Sequence, residues 1–282
     1  MRKRIQLVLS CWCIVFTLSA QTISPFIHVD QFGYLPEAVK VAVLSDPLTG
    51  YNSNLSYNAP AQIQVRDADT DEVILTVAPL IWNGGAEHSQ SGDRGWWLDF
   101  SSLSTPGNYY LYDAENDERS VVFQVNEQVY AEVLKAASRM FYYNRCGMAK
   151  SVPYAADNWT DGPSFQQDAQ ARYYFDQANT GLEKDLSGGW FDAGDYNKYV
   201  TFASGAIHNL LWAYRENPKA FSDNWDIPES ENGIPDILDE VKWELDWLLK
   251  MNNPDGSTHL KMGSISHDQN AAYPPSANQD TR

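Results

Sequence analysis

The sequence predicts two domains of different class, an all-β sandwich followed by an all-α domain. Its 282 residues, with 43% hydrophobic and 20% charged side chains, have the length and composition of a folded chain with room for two cores. From Phe26 to about Val125, short β-branched or aromatic runs alternate with turn residues. Near Asn126 the apolar period changes from two to about 3.6 residues, the helical repeat.

In the first region, residues 39–44, 61–66, 73–77, 96–100, 108–112 and 121–125 read as strands, the density of a sandwich. Between the second and third lies Asp67-Ala68-Asp69-Thr70-Asp71-Glu72, alternating acids that resemble half a calcium loop. Position six is Glu72 where the loop needs glycine, and position twelve is Ala78 where it needs a bidentate acid. An exposed hairpin turn is therefore expected.

Residues 130–143 place Val133, Leu134, Ala137, Met140 and Phe141 on one helical stripe, with Gly147 expected as C-cap. Residues 157–184 are polar and lack a period, and are expected to form a long loop ordered by its neighbours. A second helix is predicted over 199–214 from Phe202, Ala206, Leu210 and Ala213. His208 lies on it with no acid or second histidine at ligand spacing, so a structural role is expected. The third helix, 234–250, has Pro235 in its first turn, acids at its positive end, and Lys250 at its close. Ile237, Leu238, Val241, Leu245, Leu248 and Leu249 form its apolar face, with Trp243 and Trp247 one turn apart beside it, read as core.

The formal net charge of -17 excludes nucleic acid as an expected partner. Met1 to Ala20 reads as a secretory signal: Arg2-Lys3-Arg4, an apolar run from Ile5 to Leu18, then Ser19-Ala20. A secreted or periplasmic location follows, and no membrane span is expected because the run is short. A lipoprotein reading through Cys11 leaves too few apolar residues ahead of it. Cys11 and Cys13 would leave with this segment, so Cys146 would have no disulfide partner and is read as a small buried residue.

The chemistry concentrates in Gly188-Gly189-Trp190-Phe191-Asp192-Ala193-Gly194-Asp195-Tyr196-Asn197-Lys198-Tyr199. Glycines allow a tight turn, and the Ala193-Gly194 spacer lets Asp192 and Asp195 point into one small volume. Like charges held that close oppose each other's ionisation, which suits one of the pair to general acid or base work. The same residues also fit Asp195 capping a helix from Tyr196, or an acidic calcium loop.

From Asp185 to Tyr196 the sequence resembles the catalytic signature of glycoside hydrolase family 9, inverting cellulases with an (α/α)6 barrel. Residues 130–147 and Asn232-Gly233-Ile234-Pro235-Asp236 through Met251 resemble the same family. His28-Val29-Asp30-Gln31-Phe32-Gly33-Tyr34-Leu35-Pro36 and Thr105-Pro106-Gly107-Asn108-Tyr109 resemble the immunoglobulin-like module that precedes the barrel in one branch. The resemblance implies a multidomain chain: signal 1–20, immunoglobulin-like sandwich 24–126, and the first part of an all-α (α/α)6 barrel over 127–282, truncated within the catalytic domain.

The resemblance further implies hydrolysis of β-1,4-glucan, with Asp195 as base and Asp192 positioning the water. Phe191, where the family often has Tyr, Tyr196 and His267 are expected substrate contacts. The general acid, a Glu near the far end of the barrel, is expected outside this chain; Glu183, Glu229, Glu231 and Glu240 are the nearest local acids but none sits in the right motif. No metal site is expected in the chain. Zinc is not carried over, because residues 162–168 offer neither Cys nor His to join Cys146, and calcium is implied only through ligands elsewhere in the family's barrel. Exo-acting cellobiohydrolases or glucosaminidases share the motif, and a noncatalytic carbohydrate-binding or scaffold protein is the alternative of another class. Oligomeric state is not legible.

Overall fold

The computed structural model describes residues 21–265 and 272–282. The signal reading of residues 1–20 and the substrate contact expected of His267 lie outside the described residues. The chain divides between Tyr130 and Ala131 into two units.

In the first unit the strands are β1 (Thr22–Ile23), β2 (Ile27–His28), β3 (Val41–Pro47), β4 (Ile63–Asp67), β5 (Val73–Val77), β6 (Leu80–Ile81), β7 (Asp93–Asp99), β8 (Gly107–Asp113), β9 (Glu118–Arg119) and β10 (Phe123–Val125). One sheet runs β1-β9-β8-β4-β5 with β10 also on β8; the other runs β2-β3-β7-β6. Alternation decides which side chains go inside: Ala42 and Leu44 on β3, Ile63 and Val65 on β4, and Tyr109 and Leu111 on β8 enter one core with Leu98, Phe100 and Phe123. β7 begins at Asp93, earlier than its apolar residues suggest, because Arg94 opposes Asp46 on β3 and binds its carboxylate at 2.6 Å. The acidic turn joins β4 to β5, with the Asp67 carboxylate accepting the N–H groups of Asp69 and Thr70 and with Asp71 facing Arg66.

The second unit contains α1 (Ala131–Asn144), the short strand β11 (Lys198–Tyr199), α2 (Val200–Glu216), α3 (Asp236–Lys250) and β12 (Lys261–Met262), which pairs antiparallel with β11. Gly147 takes φ 84 just beyond α1. The polar stretch 157–184 carries three 3-10 turns and is tied by the bridges Lys150↔Asp161 and Ala171↔Lys184. His208 is exposed and stacks on Trp212 at 5.9 Å. Among the described residues no helix is long and apolar enough to cross a membrane.

The periods locate the helices but only part of their buried faces. On α1, Ser138 and Tyr142 are buried while Met140 is 52% exposed. On α2, Ala203 and Ile207 are buried while Phe202 is 61% exposed. α2 is apolar on several sides, so its sequence fixes a helix without fixing the side that packs. On α3, Leu245 and Leu249 lie outside, whereas Glu240 and Glu244 are buried with Ile237, Val241 and Trp247. Buried acids need partners. Glu240 meets Arg145 at 3.0 Å, and Glu244 accepts the Trp190 N–H at 2.6 Å.

The packing of residues 188–190 on α3 depends on glycine. Gly189 has φ 75, and a Cβ there would lie 2.6 Å from Cγ of Trp247, which is 1% exposed. Gly188, at φ 90, has open space where its Cβ would be. Gly188→Ala carries only the backbone strain, about 1–2 kcal/mol, whereas Gly189→Ala adds a ring clash and is expected to lose about 2–4 kcal/mol. Chemical denaturation of the two variants measures the difference; equal losses would mean that Trp247 gives way.

Burial pushes the Glu244 carboxyl up to about 7, against the opposing Trp190 N–H and Lys198 charge. Its folded state therefore holds a proton that the unfolded chain releases at lower pH. The resulting stability is fully present below pH 4.5 and lost as pH rises through about 7, a contribution of roughly 3 kcal/mol. The melting temperature should fall over that window, and Glu244→Gln, which keeps the acceptor oxygen, should flatten the fall. An unchanged slope in the variant would assign the pH dependence to other groups.

Candidate active site

The acidic turn is reached through residues 188–191, which run between the end of α1 and α3. The Cys146 N–H and the Trp243 indole N–H both donate to the Gly189 carbonyl, at 2.8 and 3.1 Å. The Phe191 N–H donates to the Asn144 carbonyl at 2.9 Å. With Trp190 held by Glu244, consecutive peptide groups ahead of Asp192 are fixed from both sides.

The turn then closes on itself. The Asp192 N–H donates to the Asn197 carbonyl at 2.8 Å, and the Tyr196 N–H to the Ala193 carbonyl at 3.0 Å. Tyr196 adopts φ 55, a left-handed conformation unfavourable for a residue with a Cβ. Asn197 is fully buried and grips Asp195 twice, its N–H donating to Oδ1 at 3.1 Å and its Nδ2 to Oδ2 at 2.5 Å. Its own Oδ1 accepts the Ser264 N–H at 3.2 Å, which ties the pair to the segment after β12.

Asp192 is exposed and Asp195 half-buried. The Tyr199 hydroxyl lies 3.5 Å from Asp195 Oδ2. Burial raises the Tyr199 pKa, and the negative charges of Asp195 and Asp192 raise it further, so both carboxylates act on one phenol. Asp195 does not cap a helix. α2 starts at Val200 behind Tyr199, because residues 198–199 are first taken up as a strand against β12.

Of the expected substrate contacts, Phe191 is 7% exposed and packs edge-on against Phe165 and Tyr196 at 5.3 and 5.2 Å. Its ring packs with these two beside the acidic turn. Tyr196 is half-buried in the same cluster. The local acids are occupied elsewhere: Glu183 pairs with Arg172 at 2.7 Å, and Glu229 and Glu240 share the buried Arg145, each at 3.0 Å. Glu231 sits in a turn at φ 71, its N–H bound to Asp223.

Cys146 is fully buried, and burial pushes its thiol up to about 12. It lies 3.5 Å from Asp168, and the charges of Lys198 and Arg282 act on it. Two cations beside one thiol do not suit a metal. Among the described residues no group of three or more His, Cys, Asp or Glu side chains gathers that could hold one.

Asn197, Asp168, Lys198, Arg282 and Glu244 were not singled out by the sequence for this site. Their partners lie between two and 114 residues away, so no local period marks them. The one available signal was the adjacency of Asn197 and Lys198 to the acidic pair.

Residues 130–282 match glycosyl hydrolase family 9, and residues 23–118 match the cellulase N-terminal ig-like domain. Endoglucanase D of Acetivibrio thermocellus is 38% identical over 174 residues, covering 60% of this chain and 26% of that protein. The xyloglucan-specific endo-beta-1,4-glucanase BoGH9A of Bacteroides ovatus is 30% identical over 260 residues, covering 90% of this chain and 41% of that protein. A metagenome-derived glycoside hydrolase family 9 endoglucanase of solved structure superposes with a TM-score of 0.68 at 36% identity, over 83% of this chain and 42% of that one. The chain thus spans well under half the length of these relatives. The (α/α)6 barrel is implied by the family, three of its α-helices being described in this unit. With more than half of the chain matched, and with Asp192 and Asp195 inside that stretch, the chain belongs to glycosyl hydrolase family 9, preceded by a cellulase ig-like domain.

Proposed function

We propose that this chain supplies the water-activating half of an inverting β-1,4-glucan hydrolase. Asp195 acts as general base and Asp192 helps hold the attacking water. The observation that carries this is the grip of Asn197 on Asp195. It fixes one carboxylate by two hydrogen bonds while leaving its neighbour Asp192 exposed on the same turn, within electrostatic reach of the same Tyr199 hydroxyl.

In this mechanism the water oxygen attacks the anomeric carbon as its proton passes to Asp195. The departing sugar oxygen takes a proton from a carboxylic acid about 6.5–9.5 Å from the base. By the family resemblance that acid is expected outside this chain; Glu183, Glu229 and Glu240 are paired with arginines and Glu231 is held in a turn. Endo action on unsubstituted glucan follows the endoglucanase relatives; the BoGH9A relative makes xyloglucan the decorated substrate to compare. Delivery beyond the cytoplasm belongs to the same proposal and rests on the signal-like residues Met1 to Ala20.

The test is turnover by the full-length enzyme on carboxymethyl cellulose, xyloglucan, cellotetraose and chitobiose. Carboxymethyl cellulose and cellotetraose should be cleaved, with inverted anomeric product. Asp195→Ala should lower kcat by roughly 10² to 10⁴-fold. Glucan binding without turnover would turn the reading to a noncatalytic binding protein, and intact turnover in the variant would remove Asp195 as base.

A further inference from the structure

Beneath the acidic turn lies a charged cluster that the proposed chemistry does not use. Asp168, from the polar stretch ahead of the motif, is 0% exposed, as is Lys198; Arg282 is 3% exposed. Asp168 Oδ2 meets Lys198 Nζ at 2.8 Å, and Asp168 Oδ1 meets Arg282 Nε at 2.9 Å. Both cations also donate to backbone, while Nη1 of Arg282 is buried without a partner. Lys198 Nζ donates to the carbonyls of Leu186 and Gly188 at 2.8 and 2.7 Å. Arg282 Nη2 donates to the Tyr196 carbonyl at 3.0 Å, with its guanidinium 4.1 Å from the centre of the Phe165 ring. The Asp168 carbonyl itself accepts the Leu186 N–H at 2.9 Å.

We infer that Asp168 is a positioning residue for the reaction: through Lys198 and Arg282 it fixes the backbone on both sides of Asp192 and Asp195. This inference rests on the catalytic reading above. Lys198 has three N–H donors, and all three are used, two on the chain entering the turn and one on Asp168. Arg282 holds the residue leaving Asp195, the same Tyr196 whose φ of 55 needs outside support. Removing the Asp168 charge leaves two buried cations facing each other without a counter-ion, so they separate and the carbonyls they hold move with them. Displacing a base from its attack geometry lowers the rate of the chemical step more than it weakens sugar binding.

The experiment compares Asp168→Asn, Arg282→Gln and Asp195→Ala in the full-length enzyme on cellotetraose, with activity expressed per folded molecule from circular dichroism. Asp168→Asn is expected to lower kcat roughly 10- to 100-fold with KM within about twofold. Arg282→Gln keeps the Asp168–Lys198 pair and should fold; its kcat should fall about tenfold, again with KM little changed. If Asp168→Asn does not fold, Arg282→Gln decides the matter. A folded Asp168→Asn or, failing that, Arg282→Gln with kcat within twofold of the parent overturns the positioning role, as does a loss expressed wholly in KM. Asp195→Ala separates the two claims. If it is inactive while the positioning variants are not, this inference alone fails; if it stays active, the catalytic reading fails.

Discussion

Irregular backbone buried under a turn must find a partner for every N–H and C=O, because each buried group left without one costs about 1–3 kcal/mol. That constraint explains the side chains gathered around residues 186–198. Other backbone groups supply some of these bonds and side chains supply others. Lys198 takes two carbonyls, Trp243 takes a third, Glu244 accepts an N–H, and Asn197 returns both of its polar ends to the chain. The charges buried here follow from the loop's irregular path.

Burying those charges is costly, and the two clusters that do so differ in completeness. Around Asp168, each ammonium or carboxylate oxygen described has a partner, save Nη1 of Arg282. Around Arg145, Nη2 and Glu240 Oε1 are both buried without one. Burial accordingly raises the Glu240 pKa against the pull of Arg145. A pair of this kind adds little net stability over apolar packing, but breaking it by removing one member costs about 3–5 kcal/mol. Its effect is therefore to penalise other arrangements of the loop more than to stabilise this one.

The same physics sets what the sequence could reveal. Strand alternation and the helical repeat are local, so β3, β8 and all three helices are legible near their true bounds. The acidic pair is legible because glycine and aspartate cluster within twelve residues. On α3, Ile237, Val241 and Trp247 are legible as buried but Glu240 and Glu244 are not, since they look like solvent-facing acids until Arg145 and the Trp190 N–H, 95 and 54 residues distant, are brought against them. Asp168 fails to announce itself for the same reason, its partners lying 30 residues ahead in Lys198 and 114 in Arg282. Phe191, legible only as an aromatic within the motif, packs edge-on against Phe165, a partner 26 residues earlier that no local period marks.

Two aspartates three residues apart are chemically identical, so any division of labour between them has to come from their surroundings. Asp195 receives two hydrogen bonds from Asn197, and Asn197 is in turn fixed by Ser264. A carboxylate held at both oxygens has one orientation, which a group accepting a proton from an oriented water requires. Asp192 is held through its backbone N–H alone among the bonds described to Asn197, and its side chain projects into solvent. That leaves its oxygens available to a water or a sugar hydroxyl. Asn197 thus serves both acids at once, orienting one by its side chain and N–H and closing the turn around the other by its carbonyl. Because the two tasks use different atoms of one buried residue, the spacing of the acids and the direction of the base are set together.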